Sequence, residues 1–110
     1  MMTATAGVLL CLLVIFELTG DTLAKFFAIS GKYYYLFGGM FFMLIGNVCW
    51  QFLLRQGVDL ALGGVLFGVI VAIGLVLIGT LFFGEKLSTS QWIGVVVGIF
   101  SIGLLAYGEN

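Results

Sequence analysis

Four long apolar runs, separated only by short polar breaks, leave this chain few ways to fold. They extend from about Thr5 to Phe27, Tyr33 to Leu54, Leu60 to Phe83 and Gln91 to Tyr107. About 20 helical residues cross the roughly 30 Å hydrocarbon core of a bilayer, so each run is a candidate membrane span. The breaks are Ser30-Gly31-Lys32, Arg55-Gln56-Gly57-Val58-Asp59 and Gly84-Glu85-Lys86-Leu87-Ser88-Thr89-Ser90. Connections this short force consecutive helices to lie antiparallel. No run alternates with period two, and none has the short-segment rhythm of a membrane barrel. A helix satisfies its backbone hydrogen bonds internally, which lipid cannot do for it. The expected fold class is therefore an all-α membrane protein, a four-transmembrane-helix bundle forming one domain over residues 1–110.

Composition excludes the main soluble alternatives. The chain is 63% hydrophobic and 8% charged, against about 25% charged residues in an average soluble domain. So few polar side chains cannot cover a water-soluble globule, and the lipid bilayer is the first expected partner. A net charge of -1 gives no basic footprint, so no nucleic-acid partner is expected. Cys11 and Cys49 lie singly in separate apolar runs, without zinc-site spacing, and read as inert buried thiols. No metal and no cofactor are expected. With no histidine, no nucleophile–base pair and no phosphate loop, an enzyme is not expected either. The apolar stretch from Ala6 to Phe16 has about the length of a signal-peptide core, but no Lys or Arg precedes it and Glu17 and Asp21 follow it in place of a small-residue cleavage site, so the first helix is expected to remain. Lys25, Lys32 and Lys86 fall toward one membrane face and Arg55 toward the other, a bias that leans toward cytoplasmic first and third loops and permits both orientations.

The stretch ELTGDTLAK, residues 17–25, is the anomaly in this apolar background. Glu17, Asp21 and Lys25 recur at i, i+4 and i+8 and so share one helical face, with Gly20 and Thr22 beside it. With Lys25 at the interface, eight residues at about 1.5 Å each put Glu17 roughly 12 Å deeper, near the midplane. A charged residue there costs on the order of 2.5–3.5 kcal/mol for insertion, so the stripe must face protein or water. Asp21 and Lys25 can be read as an ion pair easing the helix end into the headgroups. Glu17 has no basic residue within two turns on its face. An apolar cavity disfavours the charged form of a carboxylate, so Glu17 is expected to exchange protons near neutral pH, with Asp21 as a second acid.

Other polar and small residues divide between packing and function. Asn47 and Gln51, one turn apart in the second run, read either as interhelical glue or as cavity residues reaching Glu17 or substrate. Tyr33, Tyr34, Tyr35 and Trp92 open their runs and suit the interface as anchors. In the third run Ala61, Gly64, Gly68 and Ala72 form a small-residue strip, which packs helices or widens a cavity opposite Glu17. Gly94 and Gly98 make a G-x-x-x-G pair in a fourth run free of charge, expected to be a dimerisation helix.

Glu17, Gly20, Thr22, Leu23 and Lys25, together with FFGEKLS at 82–88 and the spacing between them, resemble the small multidrug resistance family of the drug/metabolite transporter superfamily, which also holds EamA-like proteins. The resemblance covers nearly the whole chain. It implies a homodimer, commonly antiparallel, in a prokaryotic inner (cell) membrane. In such a dimer paired glutamates in a central cavity couple protons to export of small-molecule cations by alternating access.

The chain departs from the family's drug exporters at a proline before helix three and a Tyr-x-x-Trp pair within it, where Asp59, Gly64 and Phe67 stand here. Gly64 offers no aromatic face to a cation, while Phe67 retains a weaker one. With Asp21 added, the expected cargo is more polar, or coupled to an ion. The cavity candidates are Thr22, Asn47, Gln51, Gly64, Phe67 and Gly68, around Glu17 and Asp21 as the proton and substrate site. Two other functions fit the chain: a translocase, or subunit of one, for polyprenyl-linked sugars or lipids, which would depend on Lys25, Lys32 or Arg55, and a non-transporting scaffold pairing through Gly94 and Gly98.

Overall fold

The computed structural model describes residues 3–108, and every regular element among them is α-helical. The helices are α1 (Ala4–Ser30), α2 (Tyr33–Arg55), α3 (Leu60–Phe82) and α4 (Thr89–Gly108). The first three are long and apolar enough to cross a membrane, which makes the chain a multi-pass integral membrane protein. The apolar part of α4, Thr89–Leu105, is shorter. It lies at the lower end of the range of about 17–25 residues found in membrane spans.

Large hydrophobic side chains point outward rather than into a core. Among the described residues the buried hydrophobic side chains are Ala6, Leu13, Leu53 and Val71, whereas Phe37, Leu44, Leu81 and Phe100 are all more than 60% exposed. That distribution suits a lipid solvent, which is as apolar as leucine and gives no reason to hide it.

Local chemistry sets the helix ends. α1 runs three residues past the expected Phe27, because Gly31 takes the left-handed conformation (φ 69°) and its N–H donates to the Phe27 carbonyl. The two remaining connections also turn on a positive-φ glycine, Gly57 and Gly84. α4 starts two residues before the expected Gln91 through a reciprocal cap. The Ser88 N–H donates to Gln91 Oε1 at 2.8 Å, and the Gln91 N–H donates to Ser88 Oγ at 3.2 Å. Inside the apolar segments, Thr19, Thr22, Thr80 and Ser101 each donate a hydroxyl to the carbonyl one turn back, so these four donors are not left to lipid.

The chain divides after Asp59 into two helical pairs, α1 with α2 and α3 with α4. α1 packs along much of α2, and the α3–α4 contact is sparser.

Candidate functional site

The α1–α2 pair is built on a seam that recurs every seventh residue. Ala6, Leu13 and Gly20 are buried on α1, and Gly39, Gly46 and Leu53 on α2. A seven-residue repeat keeps one stripe facing the partner when two helices cross at a shallow left-handed angle. Gly20 meets Gly39 so closely that a Cβ on Gly20 would lie 3.2 Å from the Gly39 carbonyl oxygen, and a Cβ on Gly39 3.2 Å from that of Gly20. Seven residues, about two turns, away, a Cβ on Gly46 would lie 3.7 Å from Leu13 Cδ1 and 3.5 Å from Phe16 Cβ. These two contacts fix the antiparallel register.

The seam decides which way the acids look. Glu17 and Asp21 sit three residues before and one after Gly20, so at 3.6 residues per turn they lie roughly 60° and 100° round from the seam, in the same sense. Both are half-buried, on one side of the helix pair rather than in its interface. Met43 and Asn47 hold the matching positions about Gly46. Because the pair is antiparallel, equal rotation in the same sense brings them to the same side as Glu17 and Asp21. The Met43 side chain folds over Gly20, with Cε 3.0 Å from where a Cβ would be. The opposite side of the pair is closed by the Phe16 and Phe42 rings, stacked with centroids 6.1 Å apart.

Glu17 is the central residue of the 27-residue α1. Its depth therefore follows from the helix itself as well as from Lys25. Thr22 points away from the seam, its hydroxyl donating to the Leu18 carbonyl at 2.8 Å. An apolar cavity of about 460 Å³ opens between α1 and α2, lined by Gly20, Phe27, Leu36, Gly39, Met40 and Met43 among others; Glu17 and Asp21 are not part of its lining. Asn47 and Gln51 are exposed on the side of the acids but are not brought against Glu17. In the seam register Asn47 lies five residues, about 7.5 Å, further along the axis.

The remaining candidates belong to the α3–α4 pair. Gly64 and Phe67 are half-buried on α3, while Gly68 is exposed. Gly68, Gly94 and Gly98 line a groove of about 400 Å³ between α3 and α4, with Val69, Val76, Leu87 and Gln91. A Cβ on Gly98 would meet Val69 Cγ1 at 3.5 Å, so this glycine already makes a contact within the chain. In the FFGEKLS segment the Glu85 N–H donates to the Gly79 carbonyl at 3.0 Å, and the Glu85 carboxylate folds back over Gly79. At the other end of the α1–α2 pair, Phe26 stacks on Tyr35 (5.4 Å), Phe27 meets Tyr33 (5.6 Å) and Lys32 Nζ stands 6.0 Å above the Tyr34 ring. Among the described residues no three His, Cys, Asp or Glu side chains converge to hold a metal.

Sequence reasoning missed two features. The glycines Gly39 and Gly46 and the Met43 side chain shape the environment of the acids, and their signal was the seven-residue spacing of the two glycines in α2. The Ser88-x-x-Gln91 cap was written in the sequence as a capping-box pattern. No family model, curated protein or solved structure matches this chain.

Proposed function

We propose that the protein is a proton-coupled transporter of small cationic or polar molecules, similar to the small multidrug resistance type, in which Glu17 exchanges a proton for cargo. The observation that carries this reading is the position of Glu17, half-buried at the centre of a membrane-length helix and off the seam of the α1–α2 pair. A carboxylate there is costly when ionised and alone, and either a proton or a cationic cargo removes the cost. Competition between the two is the physical basis of coupling. Asp21, one turn away, gives the site a second acid, so the two titrate as a pair rather than singly. All four helices cross the membrane in this reading. A second copy of the chain supplies the other wall of the cavity, and alternating access exposes the acids to one side at a time.

The test is uptake into proteoliposomes under an imposed proton gradient, with small ammonium, guanidinium and polyamine cations as probes. At least one cation should accumulate when the gradient is present and cease to do so when it is collapsed. Accumulation of none above protein-free vesicles, under either gradient direction, would remove the transport reading.

A further inference from the structure

Polar side chains run the height of the α1–α2 pair on one side only, and they change helix near the midplane. From Lys25 through Asp21 to Glu17 they follow α1, in steps of four residues or about 6 Å. Past Glu17 the register of the seam passes the polar side to α2, with Asn47 about 7.5 Å further along the axis and Gln51 about 6 Å beyond it. Both amides are exposed within a helix of membrane-spanning length. A primary amide has donors and acceptors that hydrocarbon cannot satisfy, so exposure at this depth marks a side that water or polar groups reach. The opposite side is closed by Phe16 and Phe42, and its one hydroxyl near that level, on Thr19, is spent on the Ile15 carbonyl. The titratable groups on the polar side are Glu17, Asp21 and Lys25 of α1. Between Tyr35 and Arg55, α2 carries only Cys49, which falls on the aromatic side.

We infer that Asn47 and Gln51 line a hydrated half-path connecting Glu17 to the membrane face that carries Arg55, while Asp21 and Lys25 line the half-path to the other face. The inference rests on Glu17 being the exchanging group. An amide does not itself titrate near neutral pH; it orders water on which protons move, and the gap from Glu17 to Asn47 is within the reach of a short water chain with links of about 2.8 Å. Glu17 then stands where the two half-paths meet, one lined from α1 and the other from α2.

The experiment is cysteine accessibility in a Cys11→Ser, Cys49→Ser background. Single variants Asn47→Cys and Gln51→Cys are compared with Val48→Cys and Phe52→Cys, at similar depth and also exposed, but turned away from the polar side. A thiol reacts as the thiolate and so needs water; a cationic, membrane-impermeant methanethiosulfonate should label the first two at least about tenfold faster than the second two. Equal rates at all four positions overturn the inference. In the transport arm, replacing Asn47 and Gln51 together by Leu should lower proton-driven uptake, and replacing both by Ser should restore most of it. Unchanged uptake in the double-Leu variant also overturns it. Labelling needs no transport, so slow labelling leaves the role of Glu17 standing. Full transport by Glu17→Gln removes that role, and with it the path, whatever the labelling rates.

Discussion

Glu17→Gln is expected to cut proton-driven uptake by about 100-fold or more, the scale on which a positioned proton-transfer group contributes. Glutamine keeps the volume of the side chain and its capacity for hydrogen bonds, but it can neither release a proton nor hold a cation by charge. Because Glu17 lies off the seam, the α1–α2 pair should be as stable in the variant as in the wild type. Asp21→Asn is expected to have a smaller effect, since Asp21 lies one turn nearer the interface and further round from the seam. Initial uptake rates in proteoliposomes, normalised to folded protein, measure both. Transport by Glu17→Gln at the wild-type rate would sink the assignment, and equal losses in the two variants would make the acid pair, rather than Glu17, the exchanging unit.

Gly39→Leu should cause the largest loss of stability of any single substitution considered. Even its Cβ would sit 3.2 Å from the Gly20 carbonyl and 3.7 Å from Leu23 Cβ, and the rest of the side chain would have to displace α1 backbone rather than a movable side-chain end. Overpacking typically costs about 1–3 kcal/mol where side chains can adjust, and a backbone contact places this site at or above the upper end. Gly7→Leu is the control on the same pair of helices, because a Cβ there meets nothing within 4 Å. Unfolding of the purified protein in a denaturing detergent should shift to lower detergent fraction for Gly39→Leu and stay near wild type for Gly7→Leu. Indistinguishable curves for the two would mean that the Gly20–Gly39 crossing does not hold the pair together. Loss of the crossing would also carry away the Met43 cover over Gly20, so transport should fail in Gly39→Leu although every acid is intact.

What was legible in the sequence was what depends on length and local spacing. Helix positions followed from apolar runs of bilayer length, and the ends missed at Ser30 and Thr89 were set by a left-handed Gly31 and a Ser88–Gln91 cap that apolarity does not register. The Glu17–Asp21–Lys25 stripe was legible because the i, i+4 rule needs only one helix. Its direction was not, since rotation about the helix axis is decided by which residues of α2 pack against it. Those contacts are made by Gly20 of α1 and by Gly39 and Gly46 of α2, and the seven-residue spacing of the two α2 glycines is swamped by the apolar residues that cover most of both helices. Asn47 and Gln51 illustrate the same limit. Composition marked them as candidates beside Glu17, yet only the register set their depth, and it separates them from Glu17 while keeping them on its side.

The most direct test of the central claim is proton release on cation binding by the purified protein in weakly buffered detergent solution. Wild type should release protons when a transported cation is added, with the release declining as pH rises and Glu17 is already ionised. Glu17→Gln should release none beyond what Asp21 supplies. Cation binding without proton release, or the same release from wild type and Glu17→Gln, would contradict exchange of proton for cargo at Glu17.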